Sequence, residues 1–157
     1  ERIAALGREI SRRHAGQRPI FLAVLNGAFV FAADLVRACS IDCEVSFVKL
    51  KSYEGTRSTG RVTRHIGLEQ SVKDRPVIIV EDIIDSGKTL SAFLPELRAE
   101  GPSAIEIAAL LIKPEAMEYD LHIHYPGFEI PNRFVIGYGL DYDGLGRNLP
   151  DIYELDA

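Results

Sequence analysis

The chain has 157 residues, 46% of them hydrophobic and 26% charged, with a formal net charge of -5. That length suits one domain with an adequate core, and the acidic balance provides no global basic field for nucleic acid. No apolar run approaches the roughly 20 residues that span a bilayer, and no signal peptide is visible, so no membrane partner is expected.

Two cysteines, Cys39 and Cys43, are too few for a secreted disulfide scaffold or a zinc site. They read as reduced, partly buried thiols of a cytoplasmic protein.

Residues 1–15 carry Ile3, Leu6 and Ile10 at helical spacing between charges. The run Pro19 to Leu25 is continuously apolar, as in a parallel strand buried on both faces, and ends at Asn26-Gly27. Ala28 to Ala38 is expected to be a second, mostly buried helix. Residues 43–50 alternate Cys43, Val45 and Phe47 against Glu44, Ser46 and Val48, a strand pattern. Residues 51–61 are polar, with Gly55 and Gly60, and read as a mobile loop between strands. Arg61 to Ile66 is a candidate returning strand.

Pro76 to Val80 is the strongest buried-strand signal, and it leads into Glu81-Asp82-Ile83-Ile84-Asp85-Ser86-Gly87-Lys88-Thr89. Leu90, Phe93, Leu94 and Leu97 then repeat as one buried helical face. Pro95 is expected to kink that helix because it removes a hydrogen bond and crowds the carbonyl of Ser91. Gly101-Pro102 stops it. Ala104 to Lys113 and Arg133 to Tyr138 are further strands, and the Pro-, Gly- and Tyr-rich region after residue 114 suggests a small flap beside the sheet. The pattern is that of an α/β protein: an open, mainly parallel twisted sheet flanked by helices.

Ligands of open α/β sheets bind beyond the carboxyl ends of the strands, where residues 80–89 would lie. Ser86 to Thr89 offer small residues and free N–H groups at a helix start, which favours a phosphate. Glu81, Asp82 and Asp85 stand immediately upstream. Gly87-Lys88-Thr89 matches the end of a nucleotide triphosphatase P-loop, but that loop needs glycine five residues before Gly87, where Asp82 stands. A sugar phosphate fits better: its hydroxyls bond the carboxylates while its 5′-phosphate sits on the helix start. If the strand continued, Glu81 and Asp82 would point to opposite faces, so both reach one ribose only where the strand has ended by Glu81. An acidic strand end with a helix cap explains any one of these residues, but poorly the whole run. His122 and His124 would share one face of a strand, yet with no third ligand apparent they read as structural or exposed.

The segment Val77 to Thr89 resembles the signature of type I phosphoribosyltransferases that binds 5-phosphoribosyl-1-pyrophosphate (PRPP). Val24-Leu25-Asn26-Gly27, Lys51-Ser52-Tyr53, Leu111-Ile112-Lys113-Pro114 and Phe134 to Tyr142 are similar to segments of the hypoxanthine-guanine branch, so the likeness runs from about residue 20 to Leu149. It implies a single phosphoribosyltransferase domain over residues 1–157 with a small hood, part of which belongs to a segment upstream of Glu1.

The resemblance also implies roles. Glu81 and Asp82 would hold the ribose hydroxyls, directly or through Mg2+. Asp85, Ser86, Gly87, Lys88 and Thr89 would cradle the 5′-phosphate, with Asp85 also general base or acid at N7 of the purine. Leu25, Asn26 and Gly27 would form the pyrophosphate loop, with a cis Leu25–Asn26 peptide, and Arg147 would bind pyrophosphate. Lys113 would contact the 6-oxo group and Phe134 would stack on the base. Val135 and Asp141 would read its edge through their backbones, the Asp141 carboxylate also serving a second Mg2+. Ser52 and Tyr53 fall in the loop that would close over the site. The implied substrates are PRPP and hypoxanthine or guanine, with xanthine a further candidate, and the implied assembly is a homodimer or homotetramer. A nucleic-acid-binding PRPP sensor would need a basic surface that this chain lacks, and the segments at Lys113 and Phe134 argue against adenine or pyrimidine substrates.

Overall fold

The computed structural model describes residues 1–51, 63–66, 68 and 70–156. Ser52, Tyr53 and the rest of that polar loop lie outside the described residues. In chain order the elements are α1 (Arg2–Arg13), β1 (Ile20–Leu25), α2 (Phe29–Arg37), β2 (Glu44–Lys51), β3 (Thr63–Ile66), β4 (Pro76–Ile84), α3 (Lys88–Ala99), β5 (Ala104–Ile112), β6 (Tyr125–Glu129), β7 (Val135–Ile136) and β8 (Tyr153–Glu154).

Six strands form one sheet in the order β3-β2-β1-β4-β5-β6; β3 is antiparallel at its edge and all other pairings are parallel. β7 and β8 pair antiparallel as a separate small sheet. Alternation along the central strands divides the core. Ile20, Leu22, Val24, Val77 and Ile79 pack with Phe93 and Leu97 of α3, whereas Phe21, Ala23, Ile78 and Val80 pack with α1 and α2 through Leu6, Ile10, Phe31 and Leu35. Covering both faces explains why β1 and β4 read as unbroken apolar runs. α3 continues uninterrupted across Pro95, which lies on its exposed side. Water can therefore meet the freed carbonyl of Ser91.

The chain leaves β1 toward β2 on one side and leaves β4 toward β5 on the other. The crevice between the carboxyl ends of β1 and β4 is thus the point where strand order reverses, the usual ligand site of such sheets.

Several expectations need correction. β4 does not end by Glu81: it runs to Ile84, because its pairing with β5 continues through Ile83↔Leu111 and Ile84↔Ile112. The strand expected over Arg133 to Tyr138 shrinks to Val135–Ile136, since Gly137, Tyr138 and Gly139 all have positive φ. The region after residue 114 supplies more than a flap, because β6 extends the main sheet beside β5. His122 and His124 lie before β6 rather than on a strand; their rings meet edge to face at 4.3 Å, and His124 Nδ1 accepts a hydrogen bond from the Ile107 amide at 3.1 Å.

His14, on which the sequence is silent, is buried beside Glu106 of β5 and Tyr125 of β6. Glu106 Oε2 accepts from His14 Nε2 at 2.8 Å and from the Tyr125 hydroxyl at 2.5 Å, while Arg13 Nε pairs with Oε1 at 2.8 Å. This cluster ties α1 to the sheet. Cys39 and Cys43 are free, and burial pushes the Cys39 thiol up to about 11, with Cys43 adding to it.

Candidate active site

The end of β4 and the start of α3 build the first wall. Glu81 falls on the face shared with Val77 and Ile79, and it lines a cleft of about 280 Å³ with Val24, Ile84, Asp85, Ser86, Lys88 and Thr89. Gly87 is the N-cap of α3 and offers no side-chain cap. Ser91 N is the first amide to reach back into the helix, to Gly87 O at 2.9 Å; ahead of it Lys88 N donates to Ser86 Oγ at 3.2 Å, which leaves Thr89 and Leu90 as the first-turn amides an anion could take. Ser86 O accepts from Glu118 N (3.0 Å) and Tyr119 N (3.2 Å), bracing the loop from a segment the sequence did not single out.

Asp85 and Lys113 sit at the carboxyl ends of the adjacent strands β4 and β5. Lys113 Nζ is 2.9 Å from Asp85 Oδ1, and Lys113 N donates to Ile84 O at 3.0 Å. Lys113 is buried, 7% exposed, so it is not a surface lysine. An ammonium in that setting needs a carboxylate partner, and Asp85 supplies it while leaving half its own side chain open to the site.

The second wall is the turn after β1. The Leu25–Asn26 peptide is cis. A Cβ on Gly27 would overlap the Asp82 carboxylate, so only glycine allows that approach. Asp82 thus lies against the Leu25–Gly27 turn; alternation along β4 breaks after Val80, with Ile83 on the α1 and α2 side and Ile84 on the α3 side, and the Asp82 carboxyl stands beside that of Glu81. Burial, then the neighbouring Asp82, pushes the Glu81 carboxyl well above the usual carboxylate range. Burial also raises Asp82, partly offset by the Ile83 amide and by the charge of Arg147.

The third wall comes from residues 134–149. A Cβ on Gly139 would overlap Gly27 O, so the bend there lies directly on the Leu25–Gly27 turn. Arg147 donates to Gly139 O at 2.7 Å and pairs with Asp141 Oδ1 at 3.1 Å, while Gly144 N donates to Asp141 Oδ2 at 2.8 Å. Asp141 is therefore joined to Arg147. Among the described residues no three His, Cys, Asp or Glu side chains converge on a metal position.

Phe134 precedes β7 and is 50% exposed, meeting Tyr142 edge to face at 5.6 Å. It is therefore not core. Leu155 N donates to Phe134 O at 3.0 Å, so β8 and the residue after it hold this strip in place. Val135 pairs with Glu154 across β7 and β8. The sequence reading missed Tyr142 as a neighbour of Phe134; its only signal was an aromatic in a glycine-rich stretch.

The phosphoribosyl transferase domain family matches residues 1–143. The chain is 43% identical over 154 residues to the hypoxanthine phosphoribosyltransferase of Buchnera aphidicola subsp. Schizaphis graminum, covering 96% of this chain and 87% of that protein. It is 41% identical over 162 residues to the hypoxanthine-guanine phosphoribosyltransferase of Mycobacterium avium, covering 99% and 80%. Among solved structures, the hypoxanthine-guanine phosphoribosyltransferase of Bacillus anthracis superposes with a TM-score of 0.94 at 38% identity, covering 99% of this chain and 92% of that one. The sheet order, the crevice at the strand reversal and these likenesses agree: the chain belongs to the hypoxanthine-guanine phosphoribosyltransferase family, the PRPP-dependent enzymes of purine salvage.

Proposed function

We propose that the chain transfers the 5-phosphoribosyl group of PRPP to hypoxanthine or guanine, with xanthine a third candidate, giving the purine nucleotide and pyrophosphate. The observation that carries this reading is the Asp85–Lys113 ion pair beside the uncapped start of α3. It sets a cationic donor on the carboxylate that adjoins the phosphate cradle.

The 5′-phosphate would rest on the loop of Ser86 to Thr89. Glu81 and Asp82, whose carboxyls stand side by side, would hold the ribose hydroxyls. Lys113 has three donors, one directed to Asp85, and the others are available to a purine 6-oxo group but not to the amino group of adenine. Phe134 offers an exposed face for stacking. Val135 and Asp141 would read the base edge through backbone groups.

The C1–pyrophosphate bond breaks as positive charge builds on the ribose ring. Asp85 takes the purine proton as nitrogen attacks C1. Arg147 and the Leu25–Gly27 turn would receive the departing pyrophosphate. Ser52 and Tyr53 are proposed to close over the site and exclude water.

Glu81 and Asp82 suit Mg2+: two buried carboxyls, of which Glu81 is pushed above its usual range by burial and by its neighbour, favour a cation between them. Mg2+ is commonly held by one or two carboxylates plus substrate oxygens, so a protein cage of three ligands is not required. Asp141 would serve a second ion only by sharing its oxygens with Arg147 and Gly144. When bound, the metal would neutralise charge on the pyrophosphate.

A cytoplasmic homodimer or homotetramer is the assembly this reading favours. Val45 and Phe47, 42% and 44% exposed, leave one apolar face of β2 uncovered.

The test is nucleotide formation from Mg-PRPP with hypoxanthine, guanine, xanthine and adenine, beside an Asp85→Asn control. Turnover of 6-oxopurines but not adenine, slowed by roughly 10²–10⁴ in the variant, is expected. Equal turnover of adenine would refute the role of Lys113, and an unimpaired variant that of Asp85.

A further inference from the structure

Tyr138 lies in the bend that packs on Gly27, and Asp34 lies in the middle of α2, the helix that follows that turn. The Tyr138 hydroxyl donates to Asp34 Oδ2 across 104 positions of sequence. The backbone around it is unusual. Gly137, Tyr138 and Gly139 have φ of +97°, +50° and +99°. Left-handed geometry is rare for a bulky aromatic and persists only where surrounding contacts hold it.

Those contacts form one connected set. Tyr138 N donates to Leu149 O at 2.9 Å and Gly139 N to Arg147 O at 3.0 Å. Arg147 returns its guanidinium to Gly139 O at 2.7 Å. Gly139 itself lies against Gly27 O with no room for a Cβ. The bend is thus fastened to the Gly27 turn through its backbone and to α2 through one side-chain bond. Burial and the Asp34 carboxylate push the Tyr138 hydroxyl well above its usual range, so it remains a donor at neutral pH.

We propose that Tyr138 is a positioning residue for the pyrophosphate end of the site: its bond to Asp34 seats the Gly137–Gly139 bend on Gly27 and so aims the Arg147 guanidinium through the Gly139 carbonyl. This rests on the reading of Leu25–Gly27 and Arg147 as pyrophosphate binders. The Lys113 and Phe134 contacts lie outside this set, and Asp141, which pairs with Arg147 through its side chain, is assigned to the base only through its backbone, so the effect falls chiefly on PRPP.

The test is steady-state kinetics of Tyr138→Phe in both directions, with thermal unfolding alongside. KM for PRPP, and for pyrophosphate in the reverse reaction, is expected to rise about tenfold, the scale of one charge-assisted hydrogen bond, while KM for hypoxanthine stays within about twofold. Asp34→Ala should reproduce the effect, Asp34→Asn, which keeps an acceptor, should largely restore it, and Tyr138→Phe with Asp34→Ala should be no worse than either alone. An unchanged KM for PRPP in Tyr138→Phe overturns the inference. So does a parallel rise in both KM values with a fall in Tm, which would mark general packing. Arg147→Ala separates the two levels: if it leaves KM for PRPP and pyrophosphate unchanged, the pyrophosphate reading itself fails and this inference with it. If it raises them while Tyr138→Phe does not, only the positioning role is lost.

Discussion

Lys113 Nζ lies 2.9 Å from Asp85 Oδ1, joining the ends of two neighbouring parallel strands by a buried cation and a half-exposed carboxylate. One pair thus links the group assigned to proton transfer with the group assigned to base recognition. Replacing Lys113 by Met keeps the apolar stem and removes the charge. We expect kcat/KM for 6-oxopurines to fall by about 10²-fold with the fold intact, since losing a donor to a buried polar atom has that scale. Competition between hypoxanthine and adenine checks it, and unchanged discrimination would remove Lys113 from base recognition.

Gly27 leaves no space for a side chain because the Asp82 carboxylate occupies it. Gly27→Ala should therefore displace either Asp82 or the turn and weaken PRPP binding by more than about tenfold, the effect of a modest misplacement of positioned groups. Calorimetric titration with Mg-PRPP measures this directly. Retained affinity would mean the turn plays no part in binding.

Glu81 is buried with its carboxyl pushed upward. A raised carboxyl pKa favours folding below the ordinary value of 4.5, and that favour is lost as pH rises toward the folded value. At neutral pH Glu81→Gln should then stabilise the ligand-free protein by ~0.5–2 kcal/mol while impairing catalysis, the usual trade at a functional site. The advantage of the variant should grow from pH 4 to pH 8 in urea unfolding. A destabilised variant would contradict the assigned direction.

Glu106 behaves oppositely. Burial alone would raise it, but the Tyr125 hydroxyl, His14 and Arg13 outweigh burial and hold it below its ordinary value of 4.5. Its stabilisation is present above that value and is lost as pH falls through the lower folded one. Glu106→Gln should cost about 2–3 kcal/mol at pH 7, through lost charge-assisted bonds. The gap to the parent should narrow as pH falls below 4.5 and close once it passes the lower folded value. Because Glu106 lies near the start of β5, at the far end of the strand from Lys113, kcat should be unaffected. A kcat loss larger than the stability loss explains would show coupling along β5.

Much of the site was legible because its chemistry is local. The run Glu81 to Thr89 announces a strand end, carboxylates and a helix start within one short window, and each part is dictated by neighbours in sequence. The strand cores of β1, β4 and β5 were readable for the same reason, as continuous apolar runs. The end of β4 was not. Glu81 and Asp82 look like strand terminators, yet β5 offers partners as far as Ile112 and carries the strand to Ile84. The strand expected over Arg133 to Tyr138 shows the converse: positive φ at three residues from Gly137 ends it at Ile136, and Phe134, just before it, is exposed.

The sequence by itself determined the fold class and the run of carboxylates leading into a helix start at residues 81–89, because periodicity and helix-start chemistry act over a few residues. Only the tertiary structure decided which residues meet: Asp85 with Lys113, Gly27 with Asp82, Asp141 with Arg147, Tyr138 with Asp34, and Glu106 with His14 and Tyr125. Except for Asp141 and Arg147, each partnership spans 19 residues or more. Its distance is set by strand order and register, which no local window contains.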